Sequence, residues 1–126
     1  MPDNPKILIV DDNYMMRTLL RGILRAEECE VIGEARNGLV AIEAIKTAKP
    51  DVIFLDVMMP EMNGIETLKA IRDTYPDIVV IMVTGSPSKE NVEGAIQNGA
   101  AGFIIKPFNS AKVIETLNRV RGAAKK

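Results

Sequence analysis

Residues 7–13 read ILIVDDN: four apolar residues, Ile7 to Val10, run without a polar break into two carboxylates, Asp11 and Asp12. A short apolar run that does not alternate with polar residues is the pattern of a strand covered on both faces. Working outward, similar runs recur. Val31 to Ala35 is weaker, broken by Gly33 and Glu34, which marks a candidate edge strand. Val52 to Leu55 ends at Asp56, Ile78 to Val83 at Thr84, and Phe103 to Ile105 at Lys106.

The intervening segments carry helical periods. Met16, Leu19, Leu20, Ile23 and Leu24 share one helix face. Asn37 caps a helix through Ala41, Ala44, Ile45 and Ala48, ended by Pro50. Pro60 and an Asn63-Gly64 turn lead into a helix using Leu68, Ile71 and Tyr75. Ser86 and Pro87 read as N-cap and first position of a helix with Val92, Ala95 and Ile96, stopped at Gly99. Asn109 caps a last helix using Val113, Leu117 and Val120, and residues 121–126 read as a frayed tail.

Five β-α units predict an α/β fold, a five-stranded parallel doubly wound sheet with five helices on its two faces. Right-handed crossovers favour strand order 2-1-3-4-5. In a parallel sheet all strand ends of one polarity lie along one edge. Asp11, Asp12, Asp56, Thr84 and Lys106 therefore converge there, with the switch point between strands 1 and 3.

The chain of 126 residues is expected to form one domain over 1–126, large enough to bury a core without metal or disulfide staples. Sixteen Lys and Arg against seventeen Asp and Glu leave a formal charge of -1, which argues against direct nucleic-acid binding. The single cysteine, Cys29, and the absence of histidine exclude an internal disulfide and a zinc site. No apolar run approaches the length of a membrane span or a signal peptide, so a cytoplasmic protein without membrane insertion is expected.

Three carboxylates brought together repel, at about 4 kcal/mol per pair for a 4 Å separation and an effective dielectric near 20. An oxygen-lined site without His or Cys favours Mg²⁺, which binds one or two carboxylates and leaves positions for phosphate oxygens. Lys106 adds a mobile cation able to pair with Asp56 or a phosphoryl oxygen, and Thr84 adds a hydroxyl donor. Carboxylate nucleophile, metal, lysine and hydroxyl are the parts that receive a phosphoryl group.

The motifs ILIVDDN (7–13), PDVIFLDVMMPEMNG (50–64), IMVTG (81–85) and GAAGFIIKPF (99–108) resemble those of the response-regulator receiver family, over nearly the whole chain and in the family's order. The resemblance implies a flavodoxin-like, CheY-like fold. It also implies phosphoryl transfer from the phosphohistidine of a sensor histidine kinase onto Asp56, with Mg²⁺ held by Asp11, Asp12, Asp56 and the backbone carbonyl of Met58. Thr84 and Lys106 would bind the phosphoryl oxygens. Thr84 and Phe103 would form the switch, with Phe103 at the aromatic position often held by tyrosine. Lys106-Pro107 would be a cis peptide bond.

The resemblance further implies a phosphoprotein of a two-component system rather than a turnover enzyme, one that assists its own phosphorylation and dephosphorylation. Its output would be phosphorylation-dependent protein contact. A chemotaxis-type diffusible effector stands ahead of a phosphorelay intermediate that hands its phosphoryl group to a histidine phosphotransfer protein. A monomer is expected, with a phosphorylation-dependent dimer left open. An aspartyl-nucleophile phosphatase would need a second acid at the position of Met58, and a flavodoxin-type cofactor binder would meet repulsion between Asp11, Asp12 and its phosphate.

Overall fold

The computed structural model describes residues 4–59, 62–85 and 87–124. Strand and helix alternate throughout: β1 (Lys6–Val10), α1 (Tyr14–Ala26), β2 (Glu30–Ala35), α2 (Gly38–Ala48), β3 (Val52–Asp56), α3 (Gly64–Thr74), β4 (Val79–Thr84), α4 (Lys89–Gln97), β5 (Gly102–Ile105) and α5 (Ser110–Ala124). All four strand pairings are parallel and the order is β2-β1-β3-β4-β5, as the crossover argument predicts.

Side chains alternate between the faces of a strand, and both faces are covered. Ile7, Ile9, Phe54, Ile81 and Ile104 face Leu20 and Leu24 of α1 and Val113 and Leu117 of α5. Leu8, Val10, Ile53, Leu55, Val80 and Met82 face Ala41 and Ile45 of α2, Leu68 and Ile71 of α3, and Ala95 of α4. This double burial is why β1, β3 and β4 read as continuous apolar runs. The edge strand β2 is only partly buried up to Ala35, and its pairing with β1 shifts register between Ile7 and Leu8, where Gly33 enters the ladder.

Each helix begins at a side-chain cap that satisfies an otherwise unpaired backbone N–H. The side chains of Asn13, Asn37, Asn63, Ser88 and Asn109 accept from the backbone N–H of Met16, Val40, Glu66, Asn91 and Lys112. Gly99, at φ +88°, follows the C-cap of α4 in the left-handed conformation that glycine adopts without a Cβ clash.

Four local expectations change. The cap of α4 is Ser88 and Pro87 precedes the helix, because the Ser88 hydroxyl reaches Asn91 N at 3.1 Å; Ser86, like Pro60, lies outside the described residues. Asn63-Gly64 is a cap and first helical residue instead of a free turn. Leu19 and Ile96 sit on the rims of their apolar stripes and stay 44% and 68% exposed, since Leu20, Leu24 and Ala95 take the positions against the sheet. Helix α5 continues to Ala124 across the segment expected to fray.

Candidate functional site

The five predicted residues do meet along the C-terminal edge of the sheet, though not in identical local settings. Asp11, Asp12 and Lys106 directly follow β1 and β5, whereas Asp56 and Thr84 are the last residues of β3 and β4. Asp11, Asp56 and Thr84 are buried and Asp12 is exposed. One carboxylate oxygen from each of Asp11, Asp12 and Asp56 lies within 4.8 Å of the others.

Asp11 is held from every side. Its Oδ1 accepts from Asn13 N at 2.8 Å, its Oδ2 accepts from Lys106 Nζ at 2.8 Å, and its own N–H donates to Ala35 O at 3.0 Å. Its carbonyl accepts from Arg17 Nη1 at 2.7 Å. Arg17 also donates through Nε to Glu34 at 3.1 Å, and Arg21 donates to the other oxygen of Glu34. No local signal in the sequence points to this group, because Glu34 is seventeen residues from Arg17 and on a different element.

Lys106 was expected to pair with Asp56 or a phosphoryl oxygen; it lies nearer Asp11, with Nζ 3.6 Å from Asp56 Oδ1. Asp56 accepts one longer bond from Met58 N at 3.3 Å. Burial and the neighbouring Asp11 charge, with a smaller push from Asp12, raise the Asp56 pKa to about 7, against the opposing pull of Lys106 and the Met58 N–H. One ammonium group shared between two buried carboxylates leaves net negative charge in the cluster. A hard divalent cation with oxygen ligands suits that donor set, and the absence of His or Cys matches Mg²⁺ better than zinc.

Gly64 sets how closely α3 approaches the acceptor strand. Its N–H donates to Val57 O at 2.8 Å, and a Cβ added there would lie 2.2 Å from the Asp56 carbonyl oxygen. Only glycine lets the helix start against the backbone that carries Asp56. On the other side, Lys106 N donates to Thr84 O at 2.7 Å, joining β5 to the end of β4. The Lys106-Pro107 bond is cis, as the motif implied.

Met58 exposes more than half of its side chain beside Asp56. Phe103 is half-buried, opposite Met82 in the β4–β5 ladder and against the α2–α3–α4 core. Among the described residues no helix is long and apolar enough to cross a membrane.

The model of the response regulator receiver domain matches residues 7–118. The chemotaxis protein CheY of Listeria monocytogenes is 42% identical over 114 residues, covering 90% of this chain and 96% of that protein. Its namesake from Thermotoga maritima is 43% identical over 115 residues, covering 91% and 96%. Among solved structures, CheY in the CheX-CheY-BeF3-Mg²⁺ complex from Borrelia burgdorferi superposes with a TM-score of 0.88 at 32% identity, over 91% of this chain and 87% of that one. These likenesses are to signalling proteins rather than substrate-turnover enzymes, and they favour the chemotaxis-type reading over the relay and phosphatase alternatives. Motifs, sheet order and converging acids agree with them: the chain belongs to the response-regulator receiver domain family.

Proposed function

We propose that Asp56 is the phosphoacceptor of a receiver spanning the whole chain, taking its phosphoryl group from the phosphohistidine of a sensor histidine kinase. The observation that carries this is the buried Asp56 carboxylate within 4.8 Å of the Asp11 and Asp12 oxygens and 3.6 Å from the Lys106 ammonium. The ionised Asp56 oxygen attacks phosphorus and a new O–P bond forms, while the P–N bond breaks with its electron pair left on the imidazole nitrogen, which takes up a proton from solvent. Mg²⁺, held by Asp11, Asp12, Asp56 and the Met58 carbonyl, would supply neutralising charge to the phosphoryl oxygens.

Lys106 orients and neutralises one phosphoryl oxygen, exchanging its Asp11 partner for the incoming group. Thr84 donates its hydroxyl to another. The chain is then a reversible signal carrier that assists its own phosphorylation and dephosphorylation.

Output follows from Thr84 and Phe103. Movement of the Thr84 hydroxyl toward the phosphoryl group frees space for the Phe103 ring, which reshapes the surface of α4, β5 and α5. Ile96 and Ile105, both more than half exposed on α4 and β5, supply apolar contact area there for a protein target. The 42–43% identity to chemotaxis proteins supports a diffusible chemotaxis-type effector, which on this reading works in the cytoplasm as a monomer, and the Borrelia complex supports CheX as one class of partner.

Incubation with a small acyl phosphate and Mg²⁺, read by intact mass, tests the proposal. One phosphoryl group should be added to wild type and none to Asp56→Asn or to wild type in chelator. Stoichiometric labelling of Asp56→Asn would overturn it.

A further inference from the structure

We infer that Arg17 is a positioning residue for the acidic site, acting through the Asp11 peptide; this rests on the reading of Asp11 and Asp12 as metal-holding residues. Arg17 lies on the first turn of α1, directly after the Asp11-Asp12-Asn13 loop, and reaches back to it. Its guanidinium uses two edges at once, Nη1 on the Asp11 carbonyl at 2.7 Å and Nε on Glu34 at 3.1 Å. Its side chain is only 15% exposed and that of Glu34 21%, so the pair is partly desolvated and its geometry is held more firmly than that of a surface ion pair. The Tyr14 ring packs over the guanidinium, its centroid 5.6 Å from Cζ.

The consequence is that Asp11 is fixed through both of its flanking peptide groups. The Asp11 N–H is bonded to Ala35 O on β2, the Asp11 carbonyl to Arg17, and Arg17 to Glu34, the residue before Ala35 on the same strand. The loop carrying both acids is thereby tied to the edge strand. A carboxylate that must meet a small cation at a fixed distance depends on such support, because a loop free to shift spends little time in the binding geometry.

Arg21 provides the internal comparison. It pairs with the same Glu34 from the next turn of α1, yet makes no bond to the Asp11 peptide. A role that runs through Asp11 predicts that Arg17 and Arg21 differ in their effect on the metal. A role confined to tying α1 to β2 predicts that they do not.

The test is calorimetric titration of Mg²⁺ into wild type, Arg17→Met, Arg17→Lys and Arg21→Met, beside urea unfolding of each in chelator. Arg17→Met should weaken the Mg²⁺ Kd about tenfold. Arg17→Lys should weaken it nearly as much, since one ammonium cannot span Glu34 and the Asp11 carbonyl, and it carries the test if Arg17→Met does not fold. Arg21→Met should stay within about twofold of wild type. Phosphorylation by a small acyl phosphate should show the same split: a raised Mg²⁺ requirement for the Arg17 variants with a near wild-type rate at saturation.

Wild-type Mg²⁺ affinity in both Arg17 variants, or equal weakening in Arg21→Met, would overturn the positioning role while leaving the metal site standing. No Mg²⁺ binding by wild type at millimolar concentration would overturn the metal site itself, and the role of Arg17 with it.

Discussion

Replacing Asp56 by Asn should make the metal-free protein more stable, and by an amount that depends on pH. In the folded state burial and Asp11 raise the Asp56 pKa from 3.8 to about 7. Below pH 3.8 the carboxyl is protonated in both folded and unfolded chains, and its titration contributes no slope. Between there and about pH 7 the unfolded chain has lost the proton while the folded chain keeps it. Unfolding then releases a proton, and stability falls as pH rises, by up to about 1.4 kcal/mol per pH unit. Above about pH 7 the loss is complete, and solvent screening leaves it at a few kcal/mol from this group. Asn removes the titration and keeps the volume. Urea unfolding in chelator from pH 4 to pH 8 should show the two proteins approaching one another at the acid end and Asp56→Asn ahead by a few kcal/mol at the alkaline end. A difference that does not change across that range would refute the argument that burial and Asp11 oppose the ionised Asp56 carboxylate.

Mg²⁺ bound only by the folded state should stabilise wild type by about 1.4 kcal/mol at ten times Kd, and Asp12→Ala should lose most of that increment in thermal melts with and without the ion. Exposure of Asp12 makes its effect in chelator much smaller than that of Asp56→Asn in the same melts. Gly64→Ala should cost more than about 2 kcal/mol in urea unfolding, because its Cβ meets backbone atoms of Asp56 and Val57 that cannot rotate away. Thr84→Ala should remain phosphorylated at Asp56 by intact mass but lose the phosphorylation-dependent gain in affinity for its protein target; an equal gain in both proteins would break the proposed coupling.

The sheet and its order were legible because β1, β3 and β4 are covered on both faces, which writes burial directly into consecutive residues. Strand polarity then placed Asp11, Asp12, Asp56, Thr84 and Lys106 on one edge without any contact being known. What could not be read was which partner each group takes. Lys106 has two carboxylates within 4 Å, and its closer approach to Asp11 depends on three-dimensional packing rather than spacing. Glu34 looked like a break in an edge strand, and only the fold reveals it as the anchor of Arg17 and Arg21. The sequence rule for proline at the first turn put the start of α4 at Ser86-Pro87, whereas the cap is Ser88. A periodic stripe likewise locates a helix face but not its width, and Leu19 and Ile96 lie on the exposed rims of theirs.

Every role proposed for the site requires Asp56 to be the residue that carries the phosphoryl group. Reduction of the freshly phosphorylated wild-type protein with borohydride converts an aspartyl phosphate to homoserine, and peptide mass mapping then finds the position. The converted residue should be Asp56 alone, formed only when Mg²⁺ is present. Conversion at Asp11, Asp12 or Asp51, with Asp56 left intact, would contradict it.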